Sequence, residues 1–105
     1  MSSHSEIQVT VTEIMDLLAT HGDVYVVDRL RSYRDRLEQQ DASVIATLLS
    51  EATGSMGSLR DRYLSASNGD CITDADRERV NAQLLALVTL LAEQIRAVRS
   101  ADSDA

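Results

Sequence analysis

Residues 80–98 read VNAQLLALVTLLAEQIRAV, and this stretch decides the fold. Val80, Leu84, Leu87, Leu91, Ile95 and Val98 recur at the three- and four-residue spacing of one helix face. Leu85, Val88 and Leu90 widen that face. At about 100° per residue the apolar positions cover an arc of about 220°, more than a peripheral helix of a small bundle needs. The helix is therefore central to its own chain or shared between two subunits. Leu85 and Leu90, about 140° apart on opposite flanks, are the residues expected at a dimer interface. Thr73 and Asp76 have capping-box spacing ahead of the helix, and Asp74 adds negative charge at its positive end.

Working backwards, three further segments carry helical periodicity. Ile7, Val11, Ile14 and Leu18 form one stripe, with Ser5 and Gln8 placed to cap it and Gly22 to end it. Ile7, Val9 and Val11 also alternate as a strand would, but the helical pattern persists through Leu18 and the alternation does not. Asp23 caps a second helix with the stripe Val26, Leu30, Tyr33 and Leu37. Its other face is charged, with Arg31–Asp35 and Arg34–Glu38 spaced as i, i+4 pairs. The Arg29, Arg31, Arg34, Arg36 series is interleaved with acids and reads as a solvated, self-paired face. Asp41 caps a third, shorter helix whose apolar face is Val44, Ile45, Leu48, Leu49 and Ala52, with Gly54 as a left-handed terminator.

The sequence thus predicts an all-α, four-helix antiparallel bundle. Residues 1–5 are expected as a disordered N-terminus, 6–99 as one helical domain and 100–105 as a disordered acidic tail. Short links follow the first two helices, which favours antiparallel neighbours. The link from the third helix to the fourth, about Gly54 to Ile72, is far longer than usual and is read as an ordered crossover. Ser58 and Asp61 have the spacing to start a single helical turn, and Asn68-Gly69 is a tight-turn signal that Leu64 and Ile72 could bracket as a small hairpin.

The crossover begins Gly54-Ser55-Met56-Gly57-Ser58-Leu59-Arg60-Asp61. It resembles the hallmark loop of a family of small bacterial domains of unknown function, which runs roughly Gly-Gly-Met-Gly-Ser-Leu-Asn-Asp and is followed by an Asn-Gly turn. Ser55 stands for a Gly and Arg60 for the Asn. The resemblance spans about residues 20 to 95 and implies a fold but no activity. On physical grounds Gly54, Gly57, Ser58, Arg60, Asp61 and Arg62 are the candidate ligand- or anion-binding set, because Gly-rich turns expose amides and two arginines add positive charge. The competing reading is a tight crossover in which the glycines turn the chain and Met56 and Leu59 plug the core. The segment lacks the Gly-Lys-Ser/Thr ending of a P-loop, and no strand precedes it.

Composition narrows the function classes. The chain has 105 residues, 44% hydrophobic, without Phe, Trp or Pro, so long helices are unbroken and the core is aliphatic. The net charge of −7 disfavours nucleic acid as a partner. All ten basic residues are Arg. The N-terminus lacks a signal-peptide pattern, and the longest apolar run, Leu84 to Leu91, is far short of the ~20 residues of a membrane span. A cytoplasmic location is the expectation. His4, His21 and Cys71 are too scattered for a metal site, and a Cys71–His21 nucleophile pair rests on nothing but their presence. Cys71 is expected as a half-buried structural thiol. Asp74 and Asp76 are explained by capping. No catalytic constellation and no cofactor site is read. The expected function is a non-catalytic interaction protein, a homo-oligomer or a binder of another protein, one version being an immunity-type neutraliser of a basic partner. The rival class is a small-ligand or anion binder, open to enzymatic use, working through Gly54–Asp61.

Overall fold

Helix ends set the frame. In the computed structural model, which describes residues 3–54 and 57–104, Ser3 caps helix α1 (His4–Thr20) by accepting a hydrogen bond from the Glu6 amide. The cap lies two residues ahead of the expected Ser5, so residues 4 and 5, expected in a disordered end, are helical. Asp23 caps α2 (Val24–Glu38) through Oδ1 on the Val26 amide, as its spacing predicts. Asp41 does not sit at the N-cap of α3 (Ser43–Thr53). It accepts from both the amide and the hydroxyl of Ser43, an Asx turn one residue before the helix. Those bonds to Ser43 and one from Arg36 hold the Asp41 carboxyl below its usual pKa.

Thr73 Oγ1 accepts from the Asp76 amide at the start of α4 (Asp74–Asp104). Arg79 and Thr73 together lower the Asp76 pKa. With 31 residues, α4 is about 46 Å long and runs nearly the full 48 Å of the molecule. It continues to Asp104, five residues past the point where a disordered tail was expected; nothing in Ala97–Asp104 breaks a helix, for the segment holds neither Pro nor Gly.

The four helices pack in a ring: α1 on α2, α2 on α3, α3 on α4 and α4 back on α1. Thr10 of α1 donates to Gln94 of α4 at 2.7 Å, and Arg34 of α2 reaches Thr12 of α1. Every stripe read from the sequence faces inward. Ile7, Ile14, Leu18, Leu30, Leu48, Leu84, Leu91 and Ile95 are fully buried, and Val9, the residue that would have favoured a strand, is exposed.

The crossover holds two 3-10 turns, Leu59–Asp61 and Ala66–Asn68, and no strand among the described residues. The hairpin anticipated at Asn68-Gly69 does not form. Gly69 instead ends the second turn with φ 87, and Leu64, which a hairpin would pair with Ile72, is held by Asn81 of α4. Gly54 also departs from expectation. Its φ is −75, not left-handed, and glycine is needed because a Cβ there would lie 2.3 Å from the Ser50 carbonyl. Gly57 does take the positive φ, 84, that its place in the loop implied.

Leu30 and Leu84 sit at the centres of their stripes with 0% and 2% exposure. Truncating either to Ala is expected to lower the unfolding free energy by about 2–5 kcal/mol in urea titrations, and Val9→Ala by less than about 1 kcal/mol.

Candidate functional site

The crossover lies across two inter-helix seams, and its backbone is fastened by side chains. Arg62 points inward. Its Nε donates to Asp23 at 2.8 Å, one Nη donates to Asp70 and the other to the Tyr63 carbonyl at 2.7 Å. Burial opposes the Arg62 charge, but the bonds to Asp23 and Asp70 outweigh it and raise its pKa above the ordinary arginine value. Asp23 thereby serves two elements, capping α2 with Oδ1 and holding the crossover with Oδ2. Asp70 also accepts from the Ser65 amide. Beyond it, the Cys71 amide donates to the His21 carbonyl at 2.9 Å, and His21 Nδ1 donates to the Cys71 carbonyl at 2.8 Å.

The second fastening is Glu51. This buried carboxylate of α3 faces Arg29 of α2, with Nε and Oε2 2.7 Å apart, and accepts from the Leu59 amide at 3.1 Å. Tyr33 lies beside the pair. Burial first, and then the Glu51 charge, raise its phenol pKa, so it stays neutral. The third is Asn81 of α4, whose amide oxygen accepts from the Leu64 amide and whose nitrogen donates to the Leu64 carbonyl, both at 2.8 Å. One side chain thus satisfies both backbone groups of a buried residue, as a neighbouring strand would.

Gly57, Ser58, Asp61 and Arg62 of the candidate anion set line one groove, Gly54 joins Gly57 and Ser58 on its neighbour, and Arg60 lies apart from both, but the charge and amide that would bind an anion are engaged within the chain. Arg62 is committed to two carboxylates. Arg60 projects to the other side of the crossover, where its Nη1 lies 3.4 Å from Thr89 of α4. The Gly57 amide is taken by the chain's own Asp61 carboxylate at 3.2 Å. Ser58 Oγ is buried without a hydrogen-bond partner among the described residues and lies beside Gly54. Leu59 is buried, as the tight-crossover reading requires; Ser55 and Met56 lie outside the described residues. Cys71 is exposed rather than half-buried, because its turn is held by main-chain bonds to His21 that leave the thiol outside the core. His21 and Cys71 do meet, but through the Cys71 carbonyl and not its sulfur. No group of three or more His, Cys, Asp or Glu is placed to hold a metal among the described residues, and no helix there is long and apolar enough to cross a membrane.

Several concave surfaces border the crossover. One, of about 650 Å³, lies between α2 and α3 and is lined by Arg29, Tyr33, Glu51, Gly54, Gly57 and Ser58. Another, of about 310 Å³, runs between Leu59–Tyr63 and α4, with Asn81, Leu84, Leu85 and Val88 on its helical wall. A third is a groove against α2, bordered by Tyr25 at 79% exposure and Tyr63 at 50%. On α4 itself Leu85 is 47% exposed and Leu90 41%, the two flanking positions read from the apolar arc.

Sequence reasoning missed the partners of Arg29 and Arg62. It paired Arg31 with Asp35 and Arg34 with Glu38, whereas Arg31 bonds Asp28 and Arg34 bonds Thr12. A signal for Glu51 was present, because Glu51 falls three residues after Leu48 on the apolar face of α3. Asn81, three before Leu84, interrupts the edge of the α4 stripe in the same way. The roles of Asp23 and Asp70 toward Arg62 join positions 39 and 8 residues away and leave no local trace.

Neither family models, nor curated proteins, nor solved structures gave a match to this chain.

Arg62→Ala leaves the carboxylates of Asp23 and Asp70, 7% and 6% exposed, without their cation. The expected loss is about 3–5 kcal/mol in chemical denaturation, against less than about 1 kcal/mol for Arg60→Ala on the exposed side of the same turn.

Proposed function

We propose that the protein is a non-catalytic interaction module whose binding surface is the outer face of α4. The observation that carries this reading is the exposure of Leu85 and Leu90 on a helix whose inward stripe is already covered by α1 and α3. A leucine left half in water on each side of one helix gains about 25 cal/mol for every Å² of apolar surface that a partner covers. Between them the face presents Ala82 and Ala86, small side chains that let another backbone approach, with Arg60 of the crossover reaching Thr89 at its edge. The concave surface beside Leu85 continues the same region toward the crossover.

The rival reading, a small-ligand or anion site at Gly54–Asp61, draws less support. The charges that would bind the ligand, Arg62 and the Gly57 amide, are neutralised within the chain by Asp23, Asp70 and Asp61. The overall charge of −7 acts at long range and is screened by salt, so recognition at contact rests on the local charges of the α4 face.

The test is the double variant Leu85→Glu, Leu90→Glu. Its melting temperature should stay within a few degrees of the parent, because both positions already face water. Tagged protein recovered from its native cells should lose the binding partner, be it a second copy or another protein, that accompanies the parent chain. An unfolded variant would assign the two leucines to the core, and an unchanged set of bound proteins would move the binding surface elsewhere.

A further inference from the structure

The outer face of α4 carries an internal symmetry. Leu85 and Leu90 have their midpoint between positions 87 and 88. Glu78 and Arg96 are both exposed and have no ion-pair partner among the described residues. They lie 18 positions apart, about five helical turns, so they fall on one line along the Leu85 flank of the helix, about 27 Å from each other. Their midpoint is position 87. Glu93 and Arg79, on the same outer face, have theirs at position 86. Three pairs of residues, one apolar and two of opposite charge, share a centre within about 2 Å along the helix.

A two-fold axis perpendicular to a helix reverses its direction and keeps each flank on its own side. Set beside position 87, such an axis places Glu78 next to the partner's Arg96, Arg96 next to the partner's Glu78, and Glu93 level with the partner's Arg79. On one flank the two Leu85 side chains come level to about 6 Å along the axis, and on the other the two Leu90 side chains to about 9 Å. Ala82 and Ala86 occupy the centre, where small residues allow the 8–10 Å separation of packed helices. A two-fold parallel to the helices would instead carry each flank to the opposite side and leave Glu78 about 27 Å along the axis from the partner's Arg96. The charge balance fits self-recognition. From 78 to 96 the helix puts Glu78, Arg79, Glu93 and Arg96 on its outer face, two of each sign, with Arg79 also paired with Asp76 and Arg60 of the crossover reaching in to Thr89, although the whole chain carries −7.

We infer that the partner of this face is a second copy of the chain, bound as an antiparallel α4–α4 dimer about a two-fold axis at position 87, with Glu78 and Arg96 reciprocally paired. The inference rests on the reading of the α4 face as a binding surface and adds its occupant and register. A two-fold contact of this kind uses one patch twice and closes on itself.

Sedimentation velocity of the full chain at low ionic strength tests it, with circular dichroism to confirm that each variant is folded. The parent should sediment at twice 11.5 kDa at micromolar concentration. Glu78→Arg alone and Arg96→Glu alone should each weaken the dimer roughly tenfold or more, because each sets like charges together at two places. The double variant Glu78→Arg, Arg96→Glu should restore it. A dimer unmoved by either single reversal, or not restored by the double, overturns the register. A dimer that also survives Leu85→Glu, Leu90→Glu overturns both the inference and the binding-face reading. A monomeric parent overturns self-association alone, leaving the face to be judged by its loss of another protein in the cell-derived experiment.

Discussion

The constraint on which this fold turns is the need to pair the backbone of a long non-helical segment laid across helices. A buried N–H or C=O without a partner costs as much as a lost hydrogen bond, and helices supply no free edge to pair with. Here side chains do the pairing. Asn81 takes both groups of Leu64, Glu51 takes the Leu59 amide, Asp70 takes the Ser65 amide, and the turn after α1 takes Cys71 through the His21 carbonyl. Because these groups come from α3, α4, the turn after α1 and the crossover itself, the segment is part of the bundle rather than a decoration on it.

That arrangement also decides what the crossover can do. Its glycines and arginines look like an anion nest when read along the chain. Folded, the positive charge of Arg62 is held by two carboxylates, and the exposed amide of Gly57 by a third. The same ion pair fixes the α1–α2 turn, since Asp23 is both the α2 cap and an Arg62 acceptor. Structure therefore absorbs the polar chemistry of the loop, and among the apolar surfaces left uncovered is the outer face of α4, where Leu85 and Leu90 flank a strip of small residues.

The helices were legible because each apolar stripe persists over several turns; the inward residues Ile7, Leu30, Leu48 and Leu84 follow directly from spacing. Their ends were less so, as at Ser3 and Asp41, because any nearby Ser or Asp competes for the cap. The flanking exposure of Leu85 and Leu90 could be read because an arc wider than the helix's neighbours can cover leaves its edges in water. The crossover could not be read in detail. Asn68-Gly69 signals a turn equally well for a hairpin and for the end of a 3-10 turn, and what decides between them is Asn81, more than ten residues downstream. Arg62 meeting Asp23 is likewise a product of tertiary packing, with no periodicity to announce it.

The central claim, that the crossover is fastened into the bundle, is tested most directly by native-state hydrogen exchange resolved at single amides. The account predicts that the amides of Leu59, Leu64, Ser65 and Cys71 exchange almost as slowly as those of buried positions in α2 and α4, since each can open only when its side-chain or helix-turn partner lets go. Exchange of these four at the rate of an unprotected loop, while the helices stay protected, would contradict it.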